Sequence, residues 1–474
     1  MEETVSVPQE DSQSLWSAVK ESIRGSHRNY TTGPIGRAIL LLAIPMVLEM
    51  IMESVFAVVD IYWVSHLSNP TDTVATVGLT ESLMTLVYAL AIGLSIGGMA
   101  MVARRIGEQN PEGAARSAVQ AIALAVLVSI VIAAIGAPLA PRLLQFMGGS
   151  PWVVEHGSAF TRIMLAGNMT VVMLFMINAI FRGAGDAAIA MRTLWLANWI
   201  NIILGPCLIF GLGPFPKLGL VGAAIATNIG RGTGALYALS RLIRTGSRVN
   251  IQRQHLRIEP SIIARLIRLS STGTFQVFIG MASWIGLVRI ISSFGSDAVA
   301  GYTLGIRVIL FALLPSWGMA NAAATMVGQA LGARDPERAE RAVWRAGFYN
   351  MIFLGSVGLL FIFFAPHIIS LYDPSPAVAR YGVDCLRIVA YGFLFYAYGM
   401  VLGQSFNGAG DTWTPTIINL FVFWFWEIPL AYVLSVKFGM GPEGVFTAIT
   451  IAFSTLAVVS ALVFRRGRWK ARVV

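Results

Sequence analysis

Apolar stretches long enough to cross a bilayer recur along nearly the whole chain, separated by short polar segments rich in Gly, Pro, Asn and Asp. The stretches are long and uniformly apolar rather than short and alternating. In hydrocarbon only helices and closed barrels satisfy every backbone group, so this pattern selects helices. It predicts helices over 36–65, 74–102, 114–137, 158–182, 190–212 and 218–242, then over 263–293, 299–330, 340–365, 382–405, 414–436 and 442–464. The expectation is an all-α membrane protein of twelve transmembrane helices. Ahead of them, Leu15, Trp16, Val19 and Ile23 fall near one helical face, which reads either as a short helix lying on the membrane surface or as an irregular tail.

The chain also repeats itself. One constant offset, without a gap, lays Asp72, Val74 and Ala75 on Asp297, Val299 and Ala300, GEQNPEGAAR from Gly107 on GARDPERAER from Gly332, and FRGAGD from Phe181 on FNGAGD from Phe406. Each copy holds six spans, an even number, so the copies share one orientation and are related by an axis along the membrane normal. The expected organisation is an N-terminal segment 1–35, a six-helix lobe 36–242, a basic linker 243–262, a second six-helix lobe 263–464 and a basic tail 465–474. Two similar bundles facing each other enclose a central cavity that rocks between the two sides, which makes transport the leading function.

Composition agrees and removes alternatives. With 56% hydrophobic and 12% charged residues the chain has too little polar surface to coat a soluble globule. The net charge of +10 is a matter of topology. Basic residues crowd the terminal segments, the linker and alternate loops, whereas the opposite side holds only Arg142, Arg162, Lys217, Arg380, Arg387 and Lys437. The positive-inside rule then places both termini in the cytoplasm of a multi-pass plasma-membrane protein. No basic stripe with interleaved aromatics suggests nucleic acid. The first 35 residues lack the apolar core and small-residue cleavage site of a signal peptide. Cys207 and Cys385, in different spans, read as packed thiols. No metal-ligand cluster or nucleophile with its base is apparent, so neither an enzyme nor a cofactor is expected.

Ionisable residues within spans carry the remaining chemistry, because each is costly in hydrocarbon unless paired or hydrated. Glu49, Glu53 and Asp60 share one face of the first helix as an acidic stripe about 16 Å long. Crowded carboxylates repel one another, a setting suited to carrying a proton. Phe56 and Trp63 flank this face, and Tyr88 lies two turns from Glu81, whose role stays open. With Glu49 these aromatics are candidates for a cavity wall that would take lipophilic cations through stacking and charge. Met169, Met173 and Met176 form a further stripe. In the second half Glu427 is expected to pair with Arg307 at similar depth.

From about residue 36 to 464 the sequence resembles the multidrug and toxic compound extrusion (MATE) family. The carriers are AIPMVLEMIMESVFAVVDIYWVSHL, FRGAGD, NIILGPCLIFGLG and GLVGAAIAT in the first half, and GIRVILFALLPSWGMANAAATMVGQALGARDPERA and FNGAGDT in the second. The resemblance implies two lobes around a V-shaped cavity and export of amphipathic compounds against an inward flow of protons or sodium ions. It makes Asp60 the coupling acid, Pro45 the residue that lets its helix bend, and Asn201 and Thr227 neutral ligands beside Asp60. A sodium ion at the Asp60 site is the one metal it allows. The pattern departs where an aspartate is expected four residues after Asn201, since Gly205 stands there, and this shifts weight from sodium to proton. Acids that some branches carry in the seventh and tenth spans are Gly280 and Ala397 here, which puts coupling in the N-terminal lobe.

Arg231 follows Thr227 by four residues and so shares its face. Its depth matches that of Glu53, which predicts a Glu53–Arg231 ion pair beneath Asp60. The expected partners are an amphipathic, cationic or aromatic small molecule and membrane lipids, around a monomer. The alternative is a lipid-linked saccharide flippase of the same wider superfamily, whose cavity would need cationic groups; the acidic stripe argues against it.

Overall fold

The computed structural model describes residues 15–26, 29–67, 70–244, 246–372 and 374–472. A short helix α1 (Leu15–Arg24) precedes α2 (Ile35–Ser65), α3 (Pro70–Gly107), α4 (Pro111–Phe146), α5 (Pro151–Ala166), α6 (Asn168–Ala184), α7 (Ala187–Phe210) and α8 (Leu220–Ile243). The second half runs through α9 (Pro260–Ile291), α10 (Ser296–Gly332), α11 (Pro336–Ser370), α12 (Pro376–Ala390), α13 (Phe393–Gly408), α14 (Trp413–Asn419), α15 (Ile428–Tyr432) and α16 (Pro442–Arg465). Two π-helical turns, Leu420–Glu427 and Val433–Lys437, make α14 and α15 parts of one span. Among the described residues ten spans are long and apolar enough to cross a membrane, with α5 and α6 together forming one, and the α12–α13 pair, bent by 62°, forms an eleventh. Helix α8 occupies the place of the predicted sixth span; its glycines and Arg231 make it less apolar than the rest. All twelve predicted spans thus have a helical counterpart.

Local chemistry sets the helix starts. Asn110, Ser150 and Asp335 each accept a hydrogen bond from the backbone N–H three residues on, at 2.8, 3.3 and 2.9 Å, and each precedes a proline whose missing N–H costs nothing in a first turn. The repeat reaches into the backbone: Gln109 and Arg334, equivalent residues, both take a left-handed φ, at 55° and 60°. At the N-terminus Leu15–Arg24 are helical rather than irregular. Helix α1 packs on α2, with Trp16 exposed, Glu21 bound to Arg37 at 2.8 Å, and the carbonyls of Ile23 and Arg24 accepting from Arg192.

Small residues bring the halves together in matched pairs. A Cβ on Gly107 would lie 2.0 Å from the carbonyl oxygen of Gln329, and one on the equivalent Gly332 would lie 2.3 Å from that of Arg104. Gly93 meets Thr274 of α9 in the same way that Gly318 meets Met46 and Val47 of α2. Such backbone approach is how helices associate where lipid offers no hydrophobic drive between them. These crossings lie toward the face that carries both termini.

Candidate functional site

The face carrying the termini is closed by hydrogen bonds centred on the two GAGD turns. Thr325 and Gln329 of α10 donate to the carbonyls of Arg182 and Gly183 in the first turn, at 3.0 and 2.9 Å. Reciprocally, Arg104 of α3 donates to the carbonyl of Ala409 in the second, at 3.4 Å, and to that of Arg472 at 2.7 Å. Each turn's aspartate grips the segment that follows the last helix of its own half: Asp186 binds Arg248 at 3.4 Å and Asp411 binds Arg472 at 3.1 Å. Arg338 of α11 adds donors to the carbonyls of Tyr30, Thr32 and Gly33. The sequence showed the GAGD repeat, but its clasp on the segments after α8 and α16 is a long-range contact with no local signal.

Within the first half, α2, α7 and α8 pack together and set the ionisable groups in place. Arg231 donates from Nη2 to Oε1 of Glu53 at 3.0 Å, and Asn198 donates to Oε2 of Glu53 at 3.0 Å. The guanidinium lies 5.3 Å from the centre of the Phe56 ring. One turn along α8, the hydroxyl of Thr227 accepts from Nδ2 of Asn201 at 2.8 Å and donates to the carbonyl of Ala223 at 3.0 Å, so the Asn201 carbonyl oxygen stays available. A Cβ at Gly205 would lie 3.7 Å from that oxygen, in ordinary contact, so an acid there would have joined this group. Asp60 makes no hydrogen bond or ion pair among the described residues; the charges acting on it are Glu81 of α3 and Arg231. Pro45 sits inside α2, which runs unbroken through it.

Several expected positions differ. Glu49 is not on a cavity wall: it is 1% exposed and accepts from Asn178 at 3.1 Å and from Arg182 at 3.2 Å. The reason is the rotation of α6, which turns two donors of its last turns onto α2. Phe56 is buried beneath Arg231, whereas Trp63 and Tyr88 are half-buried, Trp63 packing edge-on against Phe210 and Tyr88 against Phe175. Glu427 and Arg307 form no ion pair. Glu427 is buried within the second half, whereas Arg307 is exposed. The π-helical turn ending at Glu427 rotates that residue into its own bundle. Cys385 is buried and Cys207 half-buried, both as free thiols.

A family model for MatE matches residues 45–207 and 274–433, which takes in α2 to α7 and α9 to α15. The chain belongs to the MatE family. It is 24% identical over 441 residues to a protein of Thermotoga maritima described as "Probable multidrug resistance protein NorM", covering 93% of this chain and 94% of that one. A protein of Caulobacter vibrioides with the same description is 28% identical, with 92% of each chain covered. Among solved structures, one described as the outward-facing conformation of a multidrug resistance MATE family transporter superposes with a TM-score of 0.87 at 28% identity, over 93% of this chain and 97% of that one. This MatE protein is therefore an all-helical membrane transporter and not an enzyme.

Proposed function

We propose that this MatE protein exports amphipathic small molecules, cationic or aromatic in character, in exchange for an inward-moving cation. The observation that carries the reading is Asp60. It is an acid within a spanning helix without a bonded partner among the described residues, two helical turns after Glu53 and so on the face of α2 that carries the Glu53–Arg231 pair. A group so placed can bind and release a cation during a cycle, whereas a fully satisfied pair cannot do so without opening. The Asn201 carbonyl oxygen and the Thr227 hydroxyl supply neutral ligands beside it, and Glu53 supplies a second acid once its pair opens. Gly205 withholds the further carboxylate that a preformed sodium site would use, which favours the proton as coupling ion.

Exchange follows if the halves, 36–242 and 263–464, move as two bundles joined by the linker 243–262. The closed face with its GAGD clasps represents one end of the cycle, and the bend allowed at Pro45 passes the protonation state of Asp60 to the position of α2. The density of basic residues on the face carrying the termini supports a cytoplasmic position for that face in the plasma membrane, and the repeat within one chain supports a monomer. The repeat supplies the whole cavity within one chain. The names of the relatives support a multidrug substrate range.

Purified protein in proteoliposomes tests this directly, with a cationic dye inside and a proton or a sodium gradient imposed separately. Export driven by the pH gradient without sodium is expected. Export that requires sodium and ignores the pH gradient would overturn proton coupling, and dye movement indifferent to both would overturn exchange.

A further inference from the structure

One face of α11 is charged at its start and apolar afterwards. Arg341, Arg345, Phe348, Ile352, Leu359 and Phe363 follow one another at helical spacing, and all six are exposed. Residues 346–366 hold no acid, lysine or arginine. At 1.5 Å per residue this 35-residue helix is about 52 Å long against a hydrocarbon core of about 30 Å, so its charged start rises through the headgroup layer while the apolar remainder faces acyl chains. The two arginines open onto a cavity of about 600 Å³ that Arg338, Trp344, Phe348 and Ile35 of α2 also line. Arg345 lies against the start of α2, where a Cβ on Gly36 would come within 3.6 Å of its Nη1. Arg465 of α16 adds a further charge, its guanidinium 5.5 Å from the centre of the Trp344 ring.

These arginines lack counter-charges. Among the described residues no acid lies within 4.0 Å of Arg341, Arg345 or Arg465; of the two acids at the start of α11, Glu340 is taken by Lys470 at 2.5 Å and Glu337 reaches none of the three. The other half of the repeat shows what such a place takes. Arg116 of α4, the equivalent of Arg341, meets Glu112 at 3.6 Å and, at 3.9 Å, Glu259, the residue that caps the start of α9. Gln120, the equivalent of Arg345, donates to the carbonyl of Arg257 at 2.7 Å and accepts from the backbone N–H of Glu259 at 3.2 Å. At the start of α2 the capping residue is Pro34, and residues 29–34 contain no acid. The second half therefore has one arginine more than the first and no carboxylate supplied to it. The anion has to come from outside the chain, and the medium against this stripe is lipid.

We propose that this face of α11 binds an anionic phospholipid of the phosphatidylglycerol type. Arg341 and Arg345 hold the phosphate, Arg465 adds charge beside Trp344, and an acyl chain runs along Phe348, Ile352, Leu359 and Phe363. Guanidinium forks match phosphate oxygens in geometry as well as charge. A headgroup with its own ammonium, as in phosphatidylcholine, would bring a cation against the same arginines, so charge selects the anionic lipid.

Native mass spectrometry of the purified full-length protein, titrated with dioleoyl phosphatidylglycerol or dioleoyl phosphatidylcholine, reads the first lipid bound. The Kd for phosphatidylglycerol should be lower by roughly tenfold or more. Arg341→Gln with Arg345→Gln should remove that preference, whereas Arg244→Gln with Arg253→Gln, two exposed linker arginines on the same face, should change it by less than about twofold. Pro34→Glu, which copies the acid of Glu259, should weaken phosphatidylglycerol alone. Glycerol 3-phosphate, the headgroup phosphate without chains, should not displace the lipid. Equal affinity of the wild type for both lipids, a preference that survives Arg341→Gln with Arg345→Gln, or an equal loss in the linker variant would each overturn the inference. Displacement by glycerol 3-phosphate would show a site for soluble phosphates instead.

Discussion

The Glu53–Arg231 pair allows a prediction whose size follows from its surroundings. The nitrogen–oxygen distance is 3.0 Å, and at an effective dielectric of roughly 20 the attraction is about 5 kcal/mol, largely offset by the cost of taking both ions out of water. The two single lesions should not be equal. The Arg231 side chain is 3% exposed, and its Nε and Nη1 have no partner among the described residues, so Glu53→Gln strands a buried guanidinium and should cost about 4 kcal/mol. The Glu53 side chain is 23% exposed and keeps Asn198, so Arg231→Gln should cost about 2 kcal/mol. The double variant removes both charges together and should fall within about 1 kcal/mol of the wild type, which gives a coupling energy of about 5 kcal/mol. Equilibrium unfolding of the four proteins in one detergent measures the cycle. Additive single effects would refute the reasoning, because they would mean that neither charge depends on the other. Dye export by the double variant then separates roles: a stable protein that exports normally holds the pair only for packing, and a stable protein that no longer couples uses it in the cycle.

Asp60→Asn preserves shape and removes the titrating charge, so it should abolish gradient-driven export while expression and the melting temperature stay near those of the wild type; normal export would remove Asp60 from the coupling site. Pro45→Ala restores a helix hydrogen bond and stiffens α2, which should lower turnover severalfold with little change in dye affinity, and unchanged turnover would show that no bend is needed there. Gly332→Ala places a methyl group 2.3 Å from the carbonyl oxygen of Arg104, so spin labels on α3 and α10 at the closed face should report longer distances and export should fall; unchanged distances would show that this face closes without that contact. Asp411→Asn should loosen the segment after α16, read as faster hydrogen exchange at the Trp469 indole, which is buried and bonded to the carbonyl of Phe464 at 2.9 Å.

What the sequence determined by itself was whatever depends on neighbours along the chain. Span positions follow from runs of apolar residues. The Asn-Pro and Asp-Pro starts of α4 and α11 follow from capping chemistry confined to four residues. The repeat follows from equal spacing of GEQNPEG with GARDPER and of FRGAGD with FNGAGD. The depth of Arg231 and Glu53 was also legible, because rise per residue is constant along a helix. Only the tertiary structure decided which way each helix is turned. A soluble helix advertises its buried face by an apolar stripe, but α2, α7 and α10 are apolar nearly all round, so periodicity carries little information about rotation. That is why Glu49 was expected on a cavity wall and instead meets Asn178 and Arg182, and why the ring of Phe56 is buried beneath Arg231. It is also why Glu427, buried at the end of a π-helical turn that no hydrophobic pattern records, makes no ion pair with the exposed Arg307. Contacts between helices far apart in the chain depend on rotation and crossing together, and both are set by small residues packing backbone on backbone.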